Sequence, residues 1–265
     1  MKRAWKLAMR EAESATGPVY ISGKLIHNTP AMEELEERGI RVLDISQETA
    51  TPPAGTPFIL RAHGEGPAVY ARAERLGLRL IDGTCSIVRS VQKMARSLEQ
   101  EGYQVVLFGH RNHPEARATV AHTERGIIVE SPEEAMRLPH CPKIAAIAQT
   151  TSSARDYGEV CRILSTKCEL FENRGHICDF TQRAQEEAAE LASRVEVMVV
   201  VGGRDSSNTR RLVEVCAERR PTFHVETAAE LEPEWFAGVS RVGVTAGAST
   251  RDSDIDAVIS KLEQY

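Results

Sequence analysis

Six short apolar runs, each followed by a polar or glycine-containing turn, most strongly constrain the fold of this chain. Between them lie helix-like stretches of about 10–15 residues, and this alternation is typical of parallel sheets joined by crossover helices. The runs span residues 18–22, 57–61, 104–108, 144–148, 197–201 and 241–245. The sequence therefore predicts an α/β protein with mainly parallel sheets.

The strand–turn–helix pattern repeats about every 90 residues. It predicts three similar α/β lobes, residues 1–84, 85–176 and 177–265, without a Pro/Gly/Ser-rich linker between them. Ligands of parallel α/β sheets bind outside the carboxyl ends of the strands. We therefore expect a central cavity among the lobes, lined by residues that come after strands: His27, His63, His113, Glu115, Thr150, Ser206, Asn208 and Ser249.

Composition narrows the possible partners and the compartment. The 265 residues are 42% hydrophobic and carry a net charge of -5, so no basic field would attract nucleic acid or anionic lipid. Residues 1–17 are charged and lack the apolar core of a secretion signal, and no window of eighteen residues is apolar. We expect a cytoplasmic protein with no membrane association. Its six cysteines should then be thiols that pack, bind metal or react.

Two cysteines stand where a strand ends and a helix begins. A helix N-terminus favours the thiolate, so Cys85 and Cys178 are candidate metal ligands, with Thr181 available to cap the second helix. The alternative for either is a small buried hydrophobic residue. Cys161 and Cys216 lie inside amphipathic helical stretches and are expected to serve packing alone. Cys141 and Cys168 are loop or strand-edge candidates whose role stays undecided.

The run from Gly109 to Glu115 concentrates two imidazoles and a carboxylate after a strand, and Pro114 suits the first turn of a helix. Proton transfer is the chemistry that this set favours, with Glu115 as the acid. A polar surface loop and a His/His/Glu zinc site are the alternatives.

The run from Gly202 to Asn208 comes after a very apolar strand and precedes a helix, so backbone amides and hydroxyls converge at a positive helix end. This arrangement is typical of an anion site. The run lacks the glycine–lysine pattern of a nucleotide P-loop and the glycine pattern of a dinucleotide site. Residues 246–250 repeat the design, and the alternative for each turn is a simple helix cap.

Several strings, in this order and spacing, resemble the IspH/LytB family of 4-hydroxy-3-methylbut-2-enyl diphosphate reductases over essentially the whole chain. They are Ile26-His27-Asn28, Ala62-His63-Gly64, Asp82-Gly83-Thr84-Cys85, His113-Pro114-Glu115, Gln149-Thr150-Thr151, Ile177-Cys178, Ser206-Ser207-Asn208 and Val244-Thr245-Ala246-Gly247-Ala248-Ser249. Eight ordered strings are specific where any single one would be weak.

The resemblance implies three α/β lobes around a cavity that holds a 4Fe-4S cluster, with Cys85 and Cys178 as cluster ligands. It implies that Glu115 is the proton donor and that Thr150 and His113 line the substrate alcohol. The diphosphate pocket would comprise His27, His63, Ser206, Ser207, Asn208 and Ser249. The implied reaction removes the hydroxyl of an allylic diphosphate reductively, giving isopentenyl and dimethylallyl diphosphate in the methylerythritol phosphate pathway. The implied electron donor is a ferredoxin or flavodoxin.

The chain departs from the family at its beginning. The family opens with an Asn-Pro-Arg-Gly-Phe-Cys-Ala-Gly type segment whose cysteine is the first cluster ligand, whereas Met1-Lys2-Arg3-Ala4 matches only the family residues after that segment. Three explanations stay open: a start placed too late in the gene, so that the first lobe lacks its first strand; a two-cysteine variant; or substitution by Cys141 or Cys168.

Changes near the expected pocket, including Asp205 in place of an asparagine and Ala118 in place of a glycine, indicate a divergent member. The alternatives to the reductase are therefore a diphosphate-binding protein without redox activity and a 4Fe-4S enzyme with another substrate.

Overall fold

The computed structural model describes residues 2–25, 29–47 and 52–265, and it contains three separate sheets in which all paired strands are parallel. The α/β class with three parallel sheets is confirmed. Within the described residues, no helix is both long and apolar enough to cross a membrane.

The first sheet has the strand order β2-β1-β3-β4. The elements of this part of the chain are α1 (Lys2–Ser14), β1 (Val19–Ile21), α2 (Thr29–Glu37), β2 (Ile40–Val42), β3 (Pro57–Leu60), α3 (Pro67–Arg75) and β4 (Arg79–Asp82). The central strand β3 is almost wholly buried, with Phe58 and Leu60 packed into one core cluster. Its carboxyl end leads directly to His63.

The second sheet has the order β6-β5-β7-β8. Its elements are α4 (Ser86–Gln100), β5 (Gln104–Phe108), α5 (Pro114–Val120), β6 (Ile127–Val129), α6 (Pro132–Arg137), β7 (Cys141–Ala148), α7 (Ala154–Ser165) and β8 (Cys168–Asn173). Successive residues of β5 enter two different cores, Val106 with α7 and Leu107 with α4, because side chains alternate across a strand. Helices on both faces therefore bury β5 and β7.

The third sheet has the order β10-β9-β11. Its elements are α8 (Asp179–Arg194), β9 (Val197–Val201), α9 (Ser207–Ala217), β10 (Thr222–Val225), 3-10 turns at Ala228–Glu230 and Pro233–Phe236, β11 (Val242–Ala246) and α10 (Asp252–Leu262). Every residue of β9 is buried, since Val199 faces one core and Val200 faces the other. The carboxyl end of β9 leads to the start of α9.

By compactness the chain divides into two units, one of Met1–Leu25 with Leu35–Cys178 and one of Ile26–Glu34 with Asp179–Tyr265. The first unit contains two of the three sheets. The division into lobes of residues 1–84, 85–176 and 177–265 stays a prediction.

All six predicted strands are present, with boundaries that differ by no more than three residues. The five strands outside these six runs, β2, β4, β6, β8 and β10, all lie at sheet edges. The edge strands β4 and β8 are less buried than the inner strands: each has two or more exposed residues and no fully buried one. β4 and β8 therefore lack the continuous apolar run that marks a strand buried on both faces.

Candidate active site

Glu115 is a buried carboxyl group of the first unit. It lies in the first turn of α5, is only 4% exposed, and accepts two hydrogen bonds from Thr150: 2.6 Å from the backbone N–H to Oε1 and 2.9 Å from the hydroxyl to Oε2. Burial raises the pKa of Glu115 to about 7, and the two bonds from Thr150 oppose that rise. A carboxyl group with this pKa exchanges protons readily near neutral pH.

Two imidazoles accompany this carboxyl group. His113 is the N-cap of α5, and its Nδ1 accepts the backbone N–H of Glu115 at 3.2 Å, so its neutral form carries the proton on Nε2. The ring of His63 meets the ring of His113 edge-on, with centroids 5.1 Å apart. Both histidines are buried. The structure thus brings four predicted residues into one region: Glu115, Thr150, His113 and His63.

The turn that holds His63 is closely packed. Gly64 has a φ of +73°, and a Cβ added there would lie 2.3 Å from Nε2 of Gln92 and 3.1 Å from Cγ2 of Thr84. The side-chain Nε2 of Gln92 and Oγ1 of Thr84 are buried and have no hydrogen-bond partner among the described residues. Only glycine satisfies both the conformation and the space at position 64.

The two candidate cysteine ligands are tied to these same loops. Cys85 is the N-cap of α4, and its backbone N–H donates to the carbonyl of Ala62 at 3.0 Å, one residue before His63. The backbone N–H of Cys178 donates to the carbonyl of Thr150 at 2.9 Å. Both are free thiols and partly exposed. The first unit therefore holds both thiols at the carboxyl ends of its strands, beside the loops that carry His63 and Thr150.

Cys141 and Cys168 do not belong to this region. They begin β7 and β8, whereas Thr150 and Cys178 come after the ends of those strands. Eight extended residues from Cys141 to Ala148 span about 23 Å at 3.3 Å per residue. Cys141 and Cys168 therefore lie at the opposite end of the sheet from Thr150 and Cys178. The suggestion that either of them replaces the first cluster ligand is wrong.

One smaller expectation and one alternative also fail. Thr181 does not cap α8, because the helix begins earlier, at Asp179, and Thr181 is buried inside its first turn. The His/His/Glu zinc site is not formed: His110 is largely exposed, 3.9 Å from Glu130, while His113 is buried. Among the described residues, no three His, Cys, Asp or Glu side chains come together as a group that could hold a metal ion.

In the second unit, the start of α9 presents unpaired polar groups. Ser206 caps the helix by accepting the backbone N–H of Thr209 at 3.3 Å. The side chains of Ser207 and Asn208 are each 7% exposed, and their polar atoms have no hydrogen-bond partner among the described residues. Unpaired buried donors at a helix N-terminus favour an anion, because the helix dipole is positive at that end.

Two glycine turns adjoin the start of α9. A Cβ at Gly202 would lie 2.8 Å from Oγ1 of Thr209, and one at Gly247 would lie 2.1 Å from the same atom. β11 pairs with β9 in parallel, and the two strands end side by side. The loop after β11, which contains Ser249, therefore lies at the same end of the sheet as the loop after β9. Ser249 itself is half-buried. Arg204, in the turn between β9 and α9, is engaged with Glu230 at 2.5 Å, which leaves neutral donors for the anion.

His27 lies outside the described residues, so its predicted place in the pocket stays a prediction. Sequence reasoning missed several buried polar residues, among them Glu65, Gln92 and Thr209. Glu65 accepts from the hydroxyl of Ser22 at 2.7 Å and pairs with Arg61 at 2.8 Å, and this network supports the loop after His63. Its position two residues beyond His63 was the only available signal.

Comparison with known proteins gives one consistent result. The family model described as LytB protein matches residues 1–263. A curated 4-hydroxy-3-methylbut-2-enyl diphosphate reductase of Geotalea uraniireducens is 40% identical over 266 residues, covering 100% of this chain and 93% of the relative.

Two solved structures are similar over nearly the whole chain. One is (E)-4-hydroxy-3-methyl-but-2-enyl diphosphate reductase, the terminal enzyme of the non-mevalonate pathway, with 36% identity, a TM-score of 0.71, and coverage of 100% of this chain and 94% of that one. The other is the E-1-hydroxy-2-methyl-but-2-enyl-4-diphosphate reductase from Plasmodium falciparum, with 25% identity, a TM-score of 0.91, and coverage of 98% and 82%.

Proposed function

Because this chain belongs to the LytB family, we propose that it catalyses the reductive dehydroxylation of 4-hydroxy-3-methylbut-2-enyl diphosphate. The products are isopentenyl and dimethylallyl diphosphate, the precursors of isoprenoids. The observation that carries this proposal is the 40% identity to a curated reductase over the whole chain. The reaction consumes two electrons and two protons for each hydroxyl group that leaves as water.

We assign the diphosphate to the start of α9. The unpaired Ser207 hydroxyl and Asn208 amide supply neutral donors, and the helix dipole adds positive potential. The proposed set of diphosphate-binding residues is completed by Ser206, Ser249, His63 and His27. The prediction that these residues and Glu115 line one central cavity stays a prediction.

We assign proton delivery to Glu115. Because burial raises its pKa to about 7, the carboxyl group can give a proton near neutral pH and be recharged from solvent. The hydroxyl of Thr150 donates to Oε2 of Glu115 and fixes the orientation of the carboxyl group. The proposed place of the substrate alcohol is beside Thr150 and His113.

The implied cofactor is a 4Fe-4S cluster, which supplies electrons and a Lewis-acidic iron when bound. The donor chemistry of the first unit fits it in part. Cys85 and Cys178 are partly exposed thiols, with Cys85 at the N-cap of α4 and Cys178 directly before α8. They would hold two irons, and a third protein ligand is not found among the described residues.

The remaining parts of the proposal concern the surroundings of the enzyme. A ferredoxin or flavodoxin would deliver the electrons singly. A cytoplasmic location agrees with the six free thiols, which a reducing compartment preserves.

Iron and acid-labile sulfide should be measured in anaerobically prepared protein and in four Cys→Ser variants. Cys85→Ser and Cys178→Ser should each lose most of the bound iron, because each removes a thiolate ligand. Cys161→Ser and Cys216→Ser are matched controls, since both thiols are buried in helices away from the strand ends, and these variants should retain iron. Equal iron content in all four variants would contradict the ligand assignment.

A further inference from the structure

Cys141 and Cys168 form a pair that the proposed reaction does not use. They are direct partners in the parallel pairing of β7 with β8, and the backbone N–H of Cys141 donates to the carbonyl of Lys167 at 3.0 Å, which fixes this register. Both side chains pack against the same core cluster, so both lie on the same face of the sheet. Each is partly exposed.

We propose that Cys141 and Cys168 are a redox-active dithiol that closes to a disulfide by exchange with a low-molecular-weight disulfide. Neighbouring strands lie about 4.8 Å apart, which is within the roughly 4.4–6.8 Å Cα separation of disulfides. The hydrogen bonds of both thiols are long: 3.8 Å from Cys141 to the carbonyl of Lys143 and 3.5 Å from Cys168 to that of Leu164. Bridging breaks no strong hydrogen bond.

The exchange proceeds in two displacements. One cysteine thiolate attacks the small disulfide, forms a mixed disulfide and releases one small thiolate, which takes up a proton. The second cysteine thiolate then attacks the protein sulfur of the mixed disulfide, forms the Cys141–Cys168 bond and releases the second small thiolate, which also takes up a proton. Two protein thiols are oxidised and one small disulfide is reduced to two thiols, so atoms and electrons balance.

A metal site is the competing role for two adjacent thiols. Among the described residues, no third His, Cys, Asp or Glu joins them in a group that could hold a metal ion. The pair also differs from Cys161 and Cys216, which are buried and have no cysteine opposite them in a sheet. A bridge would fasten the edge strand β8 to β7, and β8 leads along the chain to Cys178.

The test treats the full-length protein with oxidised glutathione under anaerobic conditions, followed by acid quenching, alkylation, trypsin and mass spectrometry. The expected product is a linked pair of peptides, residues 138–143 and 168–174, which dithiothreitol separates. Cys161→Ser is the matched control and should give the same linked pair. In Cys141→Ser, Cys168 should instead accumulate as its mixed disulfide with glutathione. Wild-type protein that stays fully reduced, or that carries glutathione on Cys141 or Cys168 without the linked pair, would overturn the proposal.

Discussion

Glu115 and Thr150 show how two residues set a proton affinity. Burial disfavours the carboxylate and raises its pKa to about 7, whereas the hydrogen bonds from Thr150 stabilise the carboxylate and act in the opposite direction. The hydroxyl of Thr150 is one of these contributions, and it can be removed with little change in the shape of the side chain.

Thr150→Val tests this balance. Turnover that needs protonated Glu115 should fall as pH rises above about 7 in the wild-type protein. The valine variant loses the hydroxyl donor, so the pKa should rise, and the falling limb of the kcat profile should move to higher pH by about one unit, the worth of a hydrogen bond to a charged group. The check is kcat measured across the pH range in both proteins. A limb that moves to lower pH, or that stays in place, would show that Glu115 does not control it.

At the scale of elements, a substitution at the start of α9 should weaken anion binding without lowering the stability of the protein. Asn208→Ala removes a buried amide that has no partner among the described residues, so thermal stability should be unchanged or higher. Binding of inorganic diphosphate should weaken about 10–100-fold, since a hydrogen bond to a charged group is lost. Calorimetric titration and thermal melting measure the two effects.

Ser131→Ala is the matched control for Asn208→Ala. Ser131 caps α6 by accepting the backbone N–H of Glu134 at 3.3 Å, so its loss should cost about 1 kcal/mol of stability and leave diphosphate binding unchanged. Diphosphate binding that is normal in Asn208→Ala would remove this residue from the anion site.

Alanine substitution of Gly64, in the turn after β3, tests how tightly the loop of His63 is packed. Gly64 and Gly39 have nearly the same φ, +73° and +80°, but of the two only Gly64 has neighbours within 4 Å of an added Cβ. Gly39→Ala should therefore cost about 1–2 kcal/mol from backbone strain, and Gly64→Ala about 1–3 kcal/mol more from overpacking. Urea denaturation of both variants measures the difference. Equal losses would show that Gln92 and Thr84 yield without cost.

At the scale of the whole molecule, the strands that could be predicted from the sequence include the inner strands, because burial on both faces makes their residues apolar. β5, β7 and β9 are buried on both faces and read as apolar runs, whereas β4 and β8 are half-exposed edges and do not. The location of Glu115 after a strand was predictable, but its contact with Thr150 depends on the pairing of β5 with β7.

Some of the candidate site has no signal in the sequence. Gln92 is one polar residue on an amphipathic helix, and only tertiary packing places it against Gly64. Glu65 likewise becomes notable because Ser22 and Arg61, on two other segments, converge on it. Cys141 and Cys168 were undecidable until their register was known, because one residue of slip would place them on opposite faces.

The central claim is that Glu115 supplies protons for reductive dehydroxylation of an allylic diphosphate. The most direct measurement is anaerobic turnover of 4-hydroxy-3-methylbut-2-enyl diphosphate, with a reduced flavodoxin or ferredoxin, by wild-type protein, Glu115→Gln and Glu133→Gln. Glu133→Gln is a matched change in the first turn of α6. Wild-type protein and this control should turn over the substrate at similar rates, and each should give both isomeric diphosphates. Glu115→Gln should lose about 10²–10⁴-fold in kcat, because an amide keeps the shape but donates no acid proton. Near-normal turnover in Glu115→Gln, or none in the iron-loaded wild-type protein, would contradict this account.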